Sequence, residues 1–324
     1  MEIEIRPLST GEILDRTFRL YRAQFGLFVG IATVAALMET AGNAVEILGF
    51  RYAQMLKMNN LLVNAAVGVG SLLQMLLVLV AASVVFAAVA RAVMELHQGR
   101  RMGIASAYQA VLPRWFRYVR LAVCWWFLSG WPFILVFLLL AIPIGMLGGH
   151  VVTAESPKFI GAVVAWVVML LFSVPVCIWL FCRYSLCMAA SAIEDLGAYR
   201  SLKRSVMLSK GFRWRIFLLL LVVYVLQSIL ATGLMVPILG FFLNLPKTHG
   251  VLPLGAAIYE IAIGLVMIAV ITPIYTVGLT LIYIDTRIRK EGYDIELMMQ
   301  RTAGGMTAPS AAPQPGDSAP LATG

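Results

Sequence analysis

The sequence predicts an all-α polytopic membrane protein with six transmembrane helices and amphipathic helices lying on one membrane surface. Three observations carry that prediction. Hydrophobic residues make up 61 % of the 324 and charged residues only 13 %, for a mean hydropathy of +0.89, whereas a soluble domain is about half apolar and about a quarter charged. Six apolar stretches, at 26–48, 62–90, 121–147, 159–187, 216–239 and 255–284, reach the ~20 helical residues needed to cross a hydrocarbon core of about 30 Å. The cations alternate: of 25 Lys and Arg, 21 lie before the first stretch, after the second and sixth, and after the fourth together with Arg183 at its end, and 4 lie in the other three connections. The positive-inside rule turns that alternation into six crossings with both termini in the cytoplasm. The net charge of +9 is then read as topology and attraction to anionic lipid. Nucleic-acid binding is not expected, because no recognition module accompanies the charge.

Each element has a local cause. Residues 9–22 open with Ser9 and Glu12 at capping-box spacing and with Leu8 and Ile13 at staple spacing. Ile13, Leu14, Thr17, Phe18 and Tyr21 share one helical face, and Glu12, Asp15, Arg16, Arg19 and Arg22 share the other, as in a helix lying on the membrane. The first span has the shortest apolar run, 27–38, because Glu39, Asn43 and Glu46 follow; the charge alternation requires that it cross. Pro132 and Pro143 fall in the third span, Pro175 in the fourth, Pro237 in the fifth and Pro273 in the sixth, where proline kinks a membrane helix without ending it. The connections near 49–61, 91–120, 148–158, 188–215 and 240–254 are each too short to bury a core of their own. The first 25 residues hold four acids and four arginines and no apolar core, so they are not expected to act as a secretory signal. The transmembrane domain is expected to occupy 1–301. Residues 302–324, rich in Pro, Gly, Ala and Ser, read as a disordered cytoplasmic tail.

The two long basic connections repeat the N-terminal pattern. Ile104, Tyr108, Val111, Trp115 and Phe116, with Arg114, Arg117 and Arg120, precede the third span. Leu196, Tyr199, Leu202 and Val206, with Arg200, Lys203, Arg204 and Lys210, precede the fifth, which the chain enters through Phe212, Arg213, Trp214 and Arg215. Ala107–Tyr108 returns as Ala198–Tyr199, and Phe25, Phe116 and Phe212 mark three membrane entries. The expectation is three units, each a surface helix followed by a two-span hairpin.

Three segments are more specific than composition. Residues 6–25 (RPLSTGEILDRTFRLYRAQF), 192–217 (AIEDLGAYRSLKRSVMLSKGFRWRIF) and 279–299 (LTLIYIDTRIRKEGYDIELMM) resemble the start, middle and end of a prokaryotic family, the glycerophosphoryl diester phosphodiesterase membrane domain. The resemblance covers nearly the whole chain except the tail. It implies a multi-pass protein of a prokaryotic cytoplasmic (inner) membrane. It does not imply phosphodiesterase activity, because that chemistry belongs to a separate TIM barrel of about 250 residues, for which this chain has neither room nor pattern.

Two sets of residues are candidates for a site. Glu39, Asn43 and Glu46 share a helical face, with Glu39 about 20 Å from the cytoplasmic entry. Together with Asn64, Gln74 and Glu260, expected at outer depths of the second and sixth spans, they read either as an outward-opening polar cavity for an ion, proton or polar headgroup, or as interhelical hydrogen bonding. The second set is cationic: Arg16, Arg19, Arg22, Arg114, Arg117, Arg120, Arg200, Lys203, Arg204, Lys210, Arg213 and Arg215, placed to contact anionic lipid or simply to fix topology. Arg183, Asp285 and Arg287, at cytoplasmic helix ends, read as capping and a local ion pair. Gly26 and Gly30 have the spacing of a close helix contact, and Trp125, Trp126, Trp131, Pro132 and Phe133 read as lipid-facing or interfacial packing. Cys124, Cys177, Cys182 and Cys187 lie in apolar runs and read as buried thiols. His97, His150 and His249 pair with no second ligand at metal spacing. No catalytic motif and no cofactor is expected. The partners expected are anionic membrane lipids and a protein in or beneath the membrane. The functional readings are a lipid-interacting, non-catalytic scaffold or accessory module, a small-solute or ion permease, and, third, an intramembrane enzyme.

Overall fold

A computed structural model describes residues 8–55, 60–146, 157–243 and 254–292. The tail from 302 and the histidines at 150 and 249 lie outside them, as do parts of the connections at 49–61, 148–158 and 240–254. Among the described residues the chain is helical and contains no strand. Its helices are α1 (Thr10–Ala23), α2 (Phe25–Met55), α3 (Asn60–His97), α4 (Ile104–Val111), α5 (Trp115–Met146), α6 (Pro157–Tyr184), α7 (Cys187–Glu194), α8 (Ala198–Ser209), α9 (Arg213–Leu243) and α10 (Leu254–Glu291). A short 3-10 turn, Leu112–Arg114, joins α4 to α5. Six helices are long and apolar enough to span a membrane, so the protein is an all-α, multi-pass membrane protein.

The N-terminal cap forms as its spacing requires. Ser9 Oγ accepts from the Glu12 N–H at 3.3 Å, and Glu12 accepts from the Ser9 N–H at 2.6 Å. Ile13, Thr17 and Tyr21 are buried along one line of α1, whereas Phe18, expected with them, is exposed. An i, i+4, i+8 line fills the contact that α10 offers, and Phe18 lies about a sixth of a turn outside it. The first span is one continuous helix through Glu39, Asn43 and Glu46. Pro175 and Pro273 lie within continuous helices, as membrane prolines can when neighbours re-satisfy the freed carbonyls. The fourth span ends earlier than its apolar run. It stops at Tyr184, a turn at 185–186 follows, and α7 begins at Cys187.

The order surface helix, span, span occurs three times: α1 with α2 and α3; α4 with α5 and α6; α8 with α9 and α10. Within each unit the two spans pack on each other. The surface helices do not rest on their own hairpins alone. α4 packs on α3 and α2, α8 on α5 and α6, and α1 on α10. Each thus docks on a hairpin of the unit before it, in a cycle that closes from the third unit to the first. Hydroxyls fasten these contacts to helix carbonyls: Tyr21 Oη donates to Val270 O at 2.8 Å, Tyr108 Oη to Ile31 O at 2.6 Å, and Ser205 and Ser209 Oγ to Arg183 O at 3.0 and 3.1 Å.

The core lies toward the end where the surface helices gather, called here the basic end. It is built from Phe28 and Ile31 of α2, the run 84–94 of α3, Tyr118 and Leu121 of α5, six consecutive residues of α7 (187–192), Ile216 and Leu219 of α9, and most of 277–286 in α10. Small residues permit the closest approaches. A Cβ on Gly278 would collide with Leu219 of α9, and one on Gly30 with Ile104 of α4, whereas Gly26 faces open space. The G-x-x-x-G pair therefore makes a close helix contact at Gly30 and not at Gly26. Toward the opposite end many large apolar side chains are exposed, among them Val69, Leu72, Leu171, Phe172, Tyr224 and Ile229, as expected of surface facing hydrocarbon.

Candidate functional site

Three acids organise the basic end: Asp285 is buried, Glu194 half-buried and Asp195 exposed. Asp195 caps α7 in the left-handed conformation (φ 56°, ψ 28°), which short polar side chains adopt more readily than others. Its Oδ1 is met by Arg91 of α3 at 2.7 Å, Arg114 at 2.5 Å and Arg117 of α5 at 3.0 Å, and Arg117 also donates to the Asp195 carbonyl at 2.9 Å. Partial desolvation alone would raise the Asp195 carboxyl, but hydrogen bonds from Arg91, Arg117 and Arg114 outweigh it and hold the group well below the usual carboxylate range. The neighbouring Glu194 turns the other way. It takes a two-pronged contact from Arg204 of α8 (Nη2 2.9 Å, Nε 3.0 Å), an ion pair with Arg287 of α10 at 3.3 Å, and the hydroxyl of Tyr283. Glu291 joins the same group through Arg204 and Arg287. Asp285, 2 % exposed, accepts from the Leu8 N–H at 2.7 Å and pairs with Arg289 at 2.9 Å and Arg215 of α9 at 3.2 Å, while both arginines donate to the Leu8 carbonyl.

The three segments singled out in the sequence therefore meet in space. Leu8 and Ser9 precede α1, Glu194, Asp195, Arg204 and Arg215 come from the middle segment, and Tyr283, Asp285, Arg287, Arg289 and Glu291 come from the last. Asp285 and Arg287 are not the local pair their proximity suggested: each serves a different acid–base group. Phe212 sits among Arg215, Lys290 and Arg289, whose charges lie 5.2, 5.4 and 5.9 Å from its ring centre. Lys290 Nζ donates to the carbonyls of Met207, Leu208 and Lys210 at 2.8–3.0 Å, capping the end of α8.

These contacts divide the cations expected to meet lipid. Arg19 pairs with Asp15, Arg114 and Arg117 with Asp195, Arg204 with Glu194 and Glu291, and Arg215 with Asp285. Arg16 is half-buried. Arg22, Arg120, Arg200, Lys203 and Lys210 are exposed, beside the exposed aromatics Phe25, Phe116, Tyr199 and Trp214. Arg213 stands apart from both groups. Its guanidinium lies 4.8 Å from the centre of the Trp179 ring, and that of Arg183 lies 5.2 Å from the same ring.

The acidic set of the first span is drawn mainly into contacts between α2 and α3. Gln74 Nε2 donates to the Glu39 carbonyl at 2.8 Å and to Asn43 Oδ1 at 3.5 Å, against Gly42, where a Cβ would overlap the amide. Ser71 Oγ donates to Glu46 at 2.7 Å. Glu39 borders a cavity of about 100 Å³ whose other walls include Ala32, Ala35, Val85, Ile268 and Thr272. Glu260 does not join it: it is exposed, and it precedes Ile268 by two turns, about 12 Å along the helix. The expected shared depth fails because Glu39 lies against the middle of α10 rather than its outer third. The side chain of Asn64 lies outside the described residues.

A much larger space opens between α5, α6 and α9. It is a groove of about 930 Å³ walled by Trp126, Phe133, Leu138, Ile178, Phe181 and Phe217, with Tyr224 at its rim. Sequence reading missed it because no single helix carries its shape. The only signal was the density of aromatics along the third span. The four cysteines are free thiols, and among the described residues no three His, Cys, Asp or Glu side chains gather as a metal site would need.

No family model, no curated protein and no solved structure matches the chain.

Proposed function

We propose that the chain is a non-catalytic membrane module that engages anionic lipid through its basic end, serving as a scaffold or accessory to a protein in or beneath the membrane. The observation that carries this reading is the division of the cations. One group is neutralised by Asp195, Glu194 and Asp285 and holds the helices together. Another, Arg22, Arg120, Arg200, Lys203 and Lys210, stays exposed beside the aromatics that mark the membrane entries. Cations at that level attract anionic headgroups by about 1 kcal/mol each. The charge alternation further supports a basic end facing the cytoplasm of a prokaryotic cell. The resemblance to the glycerophosphoryl diester phosphodiesterase membrane domain is part of the same reading, which takes the chain as a membrane module without the barrel. Against the permease alternative stand the small cavity at Glu39, the engagement of Gln74 and Ser71 between α2 and α3, and the separation of Glu260.

The test is to extract the full chain with its surrounding lipid in polymer nanodiscs. Phosphatidylglycerol should be enriched several-fold over the bulk membrane, and the enrichment should fall when Arg22, Arg200 and Lys203 are changed together to Gln. A surrounding lipid identical in composition to the bulk would refute the reading.

A further inference from the structure

We propose that the groove between α5, α6 and α9 is a binding site for one anionic phospholipid, with its acyl chains along the groove and its phosphate held by Arg183 and Arg213. This deepens the lipid-engaging reading above and rests on it.

The groove lies at the weakest joint of the molecule. Among the spans, the third unit meets the first along α10 and α2, whereas the second meets the third chiefly at a brief contact of α6 with α9; the surface helix α8 makes the remaining contact with α5 and α6 at the basic end. The gap left there is apolar. Its one hydroxyl from α5, Ser129, donates to its own helix at Trp125 O at 2.6 Å. On α5 the lining runs from Trp126 to Leu138, about 18 Å at helical rise, close to the depth of one bilayer leaflet, roughly 15 Å. On α6 and α9 it runs over 174–181 and 217–224, the turns nearest the basic end. A cleft of this shape in hydrocarbon does not stand empty, because its walls would lose their dispersion contacts, and acyl chains are the solvent at hand.

The end of the groove supplies the headgroup chemistry. Arg183 follows Phe181 by two residues, and Arg213 precedes Phe217 by one turn. Both guanidinium groups flank one indole, that of Trp179, so two like charges are held close together. Unlike the arginines of the three acid groups, neither forms an ion pair among the described residues. Among the described residues the buried Nε–H of each has no hydrogen-bond partner, a feature that Arg91 and Arg117 share. Arg213 is also the first residue of α9, so the positive end of a long helix lies at the same place. Guanidinium groups and a helix N-terminus together fit a phosphate diester. Two arginines exceed the single charge of that phosphate, and among the described residues no carboxylate pairs with either of them to receive a headgroup ammonium. The site therefore favours an anionic lipid such as phosphatidylglycerol over phosphatidylcholine.

The experiment is native mass spectrometry of the full detergent-solubilised chain, titrated with dioleoyl phosphatidylglycerol or dioleoyl phosphatidylcholine. A single phosphatidylglycerol adduct should saturate ahead of any others, with phosphatidylcholine about tenfold weaker. The pair R183Q and R213Q should weaken that adduct by about tenfold. Gly130→Leu should block it without altering charge, because Gly130 lines the groove and has open space at its Cβ position; this variant keeps the test decisive if the double variant fails to fold. Changing Arg200 and Lys203 to Gln should spare the first adduct. Equal binding of the two lipids, an adduct indifferent to both variants, or displacement by inorganic phosphate alone would overturn the proposal. The two readings fail separately. A saturable adduct without enrichment in nanodiscs upholds the site and removes the broader reading, and enrichment without a saturable adduct does the reverse.

Discussion

Asp285 shows what a single side chain does at the basic end. Its carboxylate is almost wholly out of solvent and serves three donors: the Leu8 N–H, Arg215 and Arg289. Removing the charge from one side of a buried pair leaves the other side uncompensated, at roughly 3–5 kcal/mol. Asp285→Asn is therefore expected to lower stability by an amount in that range, read as a shift of the midpoint in detergent-titrated unfolding; an unchanged midpoint would mean that the arginines find other partners. Lys290 poses the complementary case, one donor serving three carbonyls at the end of α8. Lys290→Met keeps the aliphatic stem and strips the donors, and the same titration should show a loss of about 1–3 kcal/mol. At this scale the sequence was partly legible. Asp15 with Arg19, Asp285 with Arg289 and Arg287 with Glu291 stand four residues apart on helices, a spacing that brings side chains together. Arg91 with Asp195, separated by 104 positions, has no local signal; only the packing of α7 against α3 joins them.

Among the elements, the spans were legible because each buries or exposes apolar surface over a length the bilayer sets. Their ends were less so. Nothing in the run from Arg183 to Glu194 contains Pro or Gly, so the turn after Tyr184 was invisible to composition. It forms because α7 is buried among α3, α5 and α8, which redirects the chain into the core. The cyclic docking was equally hidden: the sequence shows three amphipathic helices, but not that each lies on a neighbour's hairpin. Glycine marks where that docking is tightest. Gly30→Leu would drive a side chain into Ile104 of α4, and overpacking of this kind costs about 1–3 kcal/mol. Gly26→Leu meets open space and should be close to neutral. Thermal midpoints of the two variants in one detergent provide the comparison, and equal losses would remove the assigned contact between α4 and α2.

For the whole molecule, the acid groups act where units join. Asp195 binds the end of the second unit's hairpin to α3 of the first, Glu194 binds it to α8 and α10 of the third, and Asp285 binds the N-terminal segment to α9 and α10. Neutralising one group should therefore loosen a joint between units rather than a single helix. Asp195 is the group whose titration has a clear direction. Its carboxyl is held well below the usual range by Arg91, Arg117 and Arg114 despite partial desolvation. A carboxyl that is more acidic folded than unfolded adds stability that is complete above its unfolded value, about 3.9 for Asp, and is lost as the pH falls from there toward the folded value. The contribution of Asp195 to Tm should be level from about pH 7 to about pH 5 and should decline below about pH 4. Asp195→Asn should lower Tm at pH 7 and make the decline below pH 4 shallower, because the variant has no proton to take up at this position. Labelling of single cysteines placed on α3 and α7 should show the same joint opening in acid for the parent chain, and already open at neutral pH for the variant. A parent and variant with parallel acid limbs would show that the three arginines do not depend on this carboxylate.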